Sequence, residues 1–446
     1  MRLSEISATL REIRVSPVRS LGQNFLHDQN LARWIVEQAD LTKADYVVEI
    51  GPGLGALTEF ALAKGARVLA IEKDARLTKF LREKFRDRQL EVLHGDALLF
   101  DVRTLFAQRR VKVLGNLPYY ISSQLLMKFV TYPSPISLWL FTLQKEMARR
   151  LSAAPPTKDY GVLTLAVQLH QQVKYLRTIR ASVFLPRPEV DSALVRITPR
   201  DLAQLPACDN ELFTALVRRG FSQRRKQLGK LLRENIADWK KAAEALDLDS
   251  KARAETLSLR QWIALTNYVH PAEVPERRTN DAERFPVVDK NDRLLREASQ
   301  AEVHGDNLRH RAVHILIFND AGEVYLQKRS RWKDRHPLLW DSSAAGHVGA
   351  GEEYDGAAQR ELQEELGVNV TLEKILKLPA SVRTGQEFIW LYHGEVRGAL
   401  RPNRSEIETG MFCPSSMVDG WIAARPEEFA LRFVECWRAY REKKRG

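Results

Sequence analysis

Cysteine is scarce in this chain, three residues in 446. Cys208, Cys413 and Cys436 stand far apart and form no metal-ligand pattern, which excludes a cysteine-built zinc motif and argues against a disulfide-stapled secreted scaffold. Long apolar runs are also missing, so no stretch reads as a membrane span and no membrane partner is expected. The N-terminus has no apolar signal core; it is Arg-rich, but Glu5 and Glu12 argue against a mitochondrial address. These absences imply a reducing, cytoplasmic setting. What is present is the composition of a folded protein, 44% hydrophobic and 28% charged. The length calls for two or three domains.

Acidic residues are under-represented in the first part of the chain only. Up to Pro271 there are 42 Lys and Arg against 28 Asp and Glu; beyond it there are 27 against 29. The net charge of +12 therefore sits in the first 271 residues, the part suited to a polyanion.

Gly115-Asn116-Leu117-Pro118-Tyr119-Tyr120 follows an apolar run at 111–114 that reads as a buried parallel strand. Pro118 has no N–H and a fixed φ, so it ends the ladder. Asn116 and Tyr119 are then left at the carboxyl end of a strand, where open α/β sheets bind ligands. The Asn116 amide and the Leu117 or Pro118 carbonyl can hold an exocyclic amine by its protons, and Tyr119 offers a face for stacking. This suits methylation of an adenine or glutamine nitrogen; an Asn-Pro turn beside a core tyrosine is the plainer alternative.

Upstream, a strand at 46–50 runs into Gly51-Pro52-Gly53-Leu54-Gly55 and then a helix. Glycines there let the backbone approach a ligand. The next strand ends in Glu72, placed to accept ribose hydroxyls. A third strand ends in His94-Gly95-Asp96, where Asp96 can accept an adenine amino group. NAD fits the glycines loosely, but Pro52 is awkward in a pyrophosphate turn, and the repeated strand, turn and acid pattern favours S-adenosylmethionine. Residues 184–192 read as a Pro-interrupted loop, either a connector or a site wall. After Pro199 the pattern turns helical, and Arg224-Arg225-Lys226 offer phosphate contacts.

Residues 1–271 resemble the small-subunit ribosomal RNA adenine dimethyltransferase family. The matching pieces are LGQNFL (21–26), EIGPGLG (49–55), GDAL (95–98), GNLPYYIS (115–122), QKEMARRL (144–151), KDYG (158–161), FLPRPEVDSALVR (184–196) and FSQRRKQL (221–228). The resemblance implies a Rossmann-like α/β class I methyltransferase (1–200) with a small helical lobe (201–270) that binds RNA. It places Asn24, Leu26, Gly51, Gly53, Gly55, Glu72, Asp96 and Asn116 around S-adenosylmethionine, and Asn116, Pro118 and Tyr119 at the target base. It implies dimethylation of N6 on two adjacent adenosines in a hairpin loop near the 3′ end of small-subunit ribosomal RNA, with the immature small subunit as partner. Pro156 and Gly229 depart from the family pattern. A large-subunit methylase of the resistance type is a second reading; Leu117 and the 184–196 stretch favour the first.

Residues 271–284 read as a linker. Beyond it, Gly346, Glu352, Arg360-Glu361-Leu362, Glu364-Glu365 and Gly367-Val368 fill every fixed position of the Nudix box. Glu361, Glu364 and Glu365, at i, i+3 and i+4, share a helix face and call for a divalent cation, most naturally Mg²⁺. Arg360 can pair with Glu352 or Glu364, and Glu406 or Glu408 offers a further ligand or base. Residues 285–446 thus resemble an α+β Nudix domain, nearest to hydrolases related to isopentenyl diphosphate isomerase. The isomerases carry a cysteine where this chain has Ala345, so the resemblance implies hydrolysis of a small diphosphate-linked substrate. A non-catalytic Nudix module on an assembly factor is the remaining alternative.

Overall fold

The computed structural model describes residues 3–17, 23–118, 121–130, 133–201, 204–271, 283–333 and 335–445. Tyr119 and most of the expected linker (272–282) lie outside these. The chain divides into two compact units between Pro271 and Ala272.

In the first unit a seven-stranded sheet runs in the order Leu90–His94, Arg67–Glu72, Tyr46–Ile50, Val111–Asn116, Ile136–Gln144, Ser192–Pro199, Gln171–Ile179. The first five strands pair in parallel and the last two antiparallel. Buried Val, Ile and Leu dominate the central strands because helices cover both faces, each over its own apolar cluster. The strand order reverses between Tyr46–Ile50 and Val111–Asn116, and at such a switch point the loops diverge and leave a crevice. Gly115 allows that pair to close tightly: a Cβ there would lie 2.8 Å from Leu117 Cδ2 and 3.2 Å from the Ile50 carbonyl.

Helices Asn210–Gly220, Leu228–Leu231, Trp239–Ala245 and Leu259–Val269 build a separate apolar cluster, which also takes in Tyr160, Leu165 and Leu169. Asp209 caps the first of them and a Ser258/Gln261 capping box starts the last.

The second unit is a mixed sheet around His310–Phe318, which pairs in parallel with Glu387–Glu395 and antiparallel with Ala344–His347. Helix Tyr354–Leu366 lies over its core. Gly367 ends that helix in the left-handed conformation, φ 66°, which explains its place in the motif. Ahead of the sheet, hairpin Arg284–Val288/Leu294–Ser299 and helix Gln300–Gly305 form a small satellite core of their own.

Candidate active sites

The crevice of the first unit is a cleft of about 1080 Å³ including its open mouth. Asn24, Leu26, Gly51, Gly53, Glu72, Asp96, Asn116 and Pro118 all line it. Four neighbouring strand ends deliver the last six of them, and the short strand Phe25–Leu26 with its lead-in brings Asn24 and Leu26. Gly51 and Gly53 sit at φ 65° and 59°, where a side chain is strained. Glu72 is buried. One of its oxygens accepts from Gly53 N at 3.2 Å and the other from Asp74 N at 2.9 Å, while burial raises its pKa above the usual carboxylate range. Asp96 is held by Lys73 Nζ at 2.8 Å and Leu98 N at 2.9 Å, and that contact with Lys73 lowers its pKa.

Asn116 Nδ2 donates to the Asn24 carbonyl at 2.9 Å, which turns Oδ1 into the available acceptor. Leu117 N is taken up by the Thr142 carbonyl at 3.1 Å. The Pro118 carbonyl accepts from Ile121 N at 3.2 Å and keeps its second lone pair.

Gly55, grouped with the cofactor glycines from sequence, does not line the cleft. It stands at the N-cap of helix Ala56–Ala63 with φ 82°, and a Cβ would come within 2.7 Å of the Phe85 ring. Its role is helix packing. The 184–192 loop proves to be a wall as well as a connector: Phe184 and Leu185 pair with Leu26 and Phe25, and Phe184 lines the cleft. Glu49 was missed by sequence reasoning although it opens the glycine motif. It is buried in the cleft wall, accepts from Thr58 Oγ1 at 2.6 Å, and is pushed up to about 7 by burial.

Arg224, Arg225 and Lys226 are exposed in turns between two helices, not on a helix face. Arg224 donates to the Lys158 carbonyl, which ties this cluster to the KDYG loop. Gly229 has a packing reason: a Cβ there would meet the Trp239 ring at 2.6 Å.

In the second unit, Gly346, Glu352, Arg360, Glu361, Glu364 and Glu365 line one large cleft. Arg360 resolves its two expected pairings by making both: 3.0 Å to each Glu352 oxygen and 3.3 Å to Glu364, with Glu361 at 2.8 Å and the His347 carbonyl at 3.1 Å besides. A Cβ on Gly346 would sit 2.0 Å from the Glu361 carboxyl, so only glycine leaves room for that carboxylate. Glu365 is buried and accepts from Gln327 Nε2 at 2.9 Å and Ala345 N at 3.2 Å. Burial pushes it up to about 7, against the lowering effect of Lys333, and burial raises Glu361 too. Glu406 lines the cleft and pairs with Lys333; Glu408 does not line it and is bound by Arg331.

The same cleft holds a group that sequence reasoning did not single out. His304, His347 and Glu387 line it, and buried His310 lies against them, from positions up to 83 residues apart along the chain. Among the described residues these histidines are the cluster whose ligand atoms lie close enough to share a metal ion.

The family model described as Ribosomal RNA adenine dimethylase matches residues 17–270, and the NUDIX domain model matches residues 308–433. Ribosomal RNA small subunit methyltransferase A of Geobacillus thermodenitrificans is 38% identical over 266 residues, covering 57% of this chain and 91% of the relative. Its counterpart in Alkaliphilus metalliredigens is 36% identical over 276 residues, covering 60% and 96%. A solved dimethyladenosine transferase from Plasmodium falciparum is similar at 25% identity and TM-score 0.48, covering 54% of this chain and 95% of that one. No helix among the described residues is long and apolar enough to cross a membrane.

Proposed function

Since the chain belongs to the ribosomal RNA adenine dimethylase family and carries a NUDIX domain behind it, we propose that it joins two enzymes. Residues 1–271 dimethylate N6 of two adjacent adenosines in the 3′-terminal hairpin loop of small-subunit ribosomal RNA, on the immature subunit in the cytoplasm. Residues 285–446 hydrolyse a small diphosphate-linked compound.

The observation that carries the first reading is the convergence of Asn116, Pro118, Glu72 and Asp96 on one cleft. The acids and glycines fit S-adenosylmethionine: a buried acceptor for ribose hydroxyls, an acceptor for an adenine amine, and bare backbone for the methionine part. When bound, that cofactor supplies a sulfonium methyl. The protein's own work is on the base. Adenine N6 is a weak nucleophile because its lone pair is delocalised into the ring. Asn116 Oδ1 and the Pro118 carbonyl accept its two N–H protons and draw the lone pair out of conjugation, toward in-line attack. Asn24 holds Asn116 in that orientation through its carbonyl. Tyr119 stacks on the adenine. The contribution is positioning and fixed dipoles, and no strong base is needed. A loop adenine is cheaper to extract than a paired one. Arg224, Arg225 and Lys226 grip phosphates without reading sequence.

In the second unit the all-oxygen donor set of Glu361, Glu364 and Glu365 fits Mg²⁺, and the raised pKa of two of them expresses burial first and mutual repulsion second, both of which a divalent ion would relieve. That ion would supply charge neutralisation of the diphosphate and an acidified water. Arg360 fixes the carboxylates, and Lys333, paired with Glu406, adds positive charge to the same cleft.

Two assays test the proposal. Asn116→Ala is expected to lose methyl transfer to undermethylated small subunits by at least ~10²-fold while cofactor binding largely persists; near-normal turnover rejects the mechanism. A phosphate-release screen with Mg²⁺ over nucleotides, nucleotide sugars, dinucleotide polyphosphates and prenyl diphosphates is expected to give a hit lost in Glu365→Gln. Silence across the panel returns the NUDIX unit to a binding role.

A further inference from the structure

Resting on the reading of the second unit as a diphosphate hydrolase, we propose that His314 is one of its substrate-binding residues, an uncharged N–H donor that takes an oxygen of the diphosphate.

His314 sits in the middle of strand His310–Phe318. Successive side chains of a strand point to opposite faces. Val313 and Ile315 enter the core under helix Tyr354–Leu366, so His314 points the other way, into the cleft. Ala312, two residues back on the same face, and Ala345, its partner on the neighbouring strand, line the cleft as well. Two alanines beside it leave the outer edge of the ring uncovered. Ala345 N donates to Glu365 at 3.2 Å. His314 is therefore one strand over, roughly 4.8 Å by backbone spacing, from the residue that holds a NUDIX carboxylate. A diphosphate engaged at those carboxylates has this ring beside it.

The hydrogen bonding fixes which nitrogen carries the proton. Ser342 is fully buried, and its hydroxyl lies 2.7 Å from His314 Nδ1. Among the described residues Nδ1 is the only partner of that hydroxyl. Were Nδ1 the donor, the serine proton would be buried without an acceptor, which is costly. Ser342 therefore donates to Nδ1, and the ring proton belongs on Nε2. Asp341 Oδ1, at 3.9 Å from Nδ1, is too far for a hydrogen bond and accepts from Ser342 N at 2.8 Å instead; Oδ2 accepts from Arg329 at 3.0 Å. Nε2 finds no hydrogen-bond partner among the described residues and is not sealed from solvent, so it meets the open space of the cleft. Burial lowers the pKa of the ring and keeps it neutral.

An uncharged donor supplies what the cations of the cleft do not. Arg329, Lys333, Arg360 and Arg432 are each paired with a carboxylate, of Asp341, Glu406, Glu352 and Glu387 in turn. Each brings a negative charge that a diphosphate must approach. His314 brings none. Its inner nitrogen is satisfied by a hydroxyl, and its N–H is fixed in direction by a buried serine, so little reorganisation is needed on binding.

The full-length chain with ¹⁵N-labelled histidine reads the tautomer directly. At neutral pH without ligand, the His314 signals, identified by their loss in His314→Gln, are expected to show the proton on Nε2. Inorganic diphosphate added with Mg²⁺ should then move the Nε2–H signal. A proton on Nδ1, or a signal that diphosphate leaves in place, overturns the proposal, and both readings are made on wild type. By calorimetry with the same probe, His314→Leu should lose affinity about tenfold or more, whereas His314→Gln, whose amide can donate, should stay within about threefold. Equal losses in the two variants overturn the donor role. Diphosphate binding that depends on His314 beside a silent hydrolysis screen rejects the hydrolase reading alone. Hydrolysis with an unchanged KM in His314→Leu rejects the role of His314 alone.

Discussion

Glu49 is a carboxyl group in a place that suits its neutral form. It is fully buried beside Glu72, and against burial only the hydroxyl and backbone N–H of Thr58 and the charge of Lys84 favour its ionised form. Its pKa stands near 7 in the fold against 4.5 for an ordinary glutamate. A carboxyl raised on folding costs nothing while both states hold the proton. It destabilises the fold progressively as pH climbs from the unfolded value through the folded one, because the unfolded chain then releases its proton first. Glutamine copies the protonated shape and still accepts from Thr58. In thermal unfolding without S-adenosylmethionine, Glu49→Gln should match wild type near pH 4, below the unfolded value. At pH 8 it should be more stable, on the order of 2–3 kcal/mol. An equal offset at both pH values would show that ionisation is not the cause.

The glycine turn shows what an element adds to a residue. Gly51 and Gly55 share a motif and a positive φ, yet they serve different structures. A Cβ on Gly51 meets open space in the cleft, whereas one on Gly55 meets Phe85. Gly51→Ala should therefore weaken binding of the cofactor product S-adenosylhomocysteine, about tenfold or more by calorimetry, at a backbone cost of ~1 kcal/mol. Gly55→Ala should cost ~1–3 kcal/mol of unit stability and leave the affinity of the folded fraction little changed. Equal losses of affinity would mean that Gly55 shapes the cofactor site after all. The same contrast explains what could be read beforehand. Strand, turn and acid follow one another within a few residues, so the carboxyl-end cleft was legible. The NUDIX carboxylates were legible because i, i+3 and i+4 share a helix face. The pairing of Phe25 with Leu185 and the meeting of His304, His310, His347 and Glu387 were not. Each joins segments tens to more than a hundred residues apart and leaves no periodic trace.

At the scale of the whole chain, charge and contacts divide at the same place. The surplus of basic residues ends where the first compact unit ends, and each unit has its own apolar cores. An RNA grip built from residues 1–271 should then be independent of the rest. The truncated chain 1–271 is expected to fold and to methylate undermethylated subunits. Its RNA affinity should match the full chain's within about twofold, with the same slope of log affinity against log salt, because counterion release counts only the phosphates neutralised. Replacing Arg224, Arg225 and Lys226 by alanine should flatten that slope by roughly 2 and raise KM, since each phosphate contact contributes about 0.7–0.9. kcat should hold, because these side chains are absent from the cleft where Asn116 acts. A truncated chain with a shallower slope would instead give the NUDIX unit a share of the RNA path, against its slight excess of acid. A triple variant that lost kcat and kept KM would remove the basic turn from the grip and make it part of how the adenine is presented.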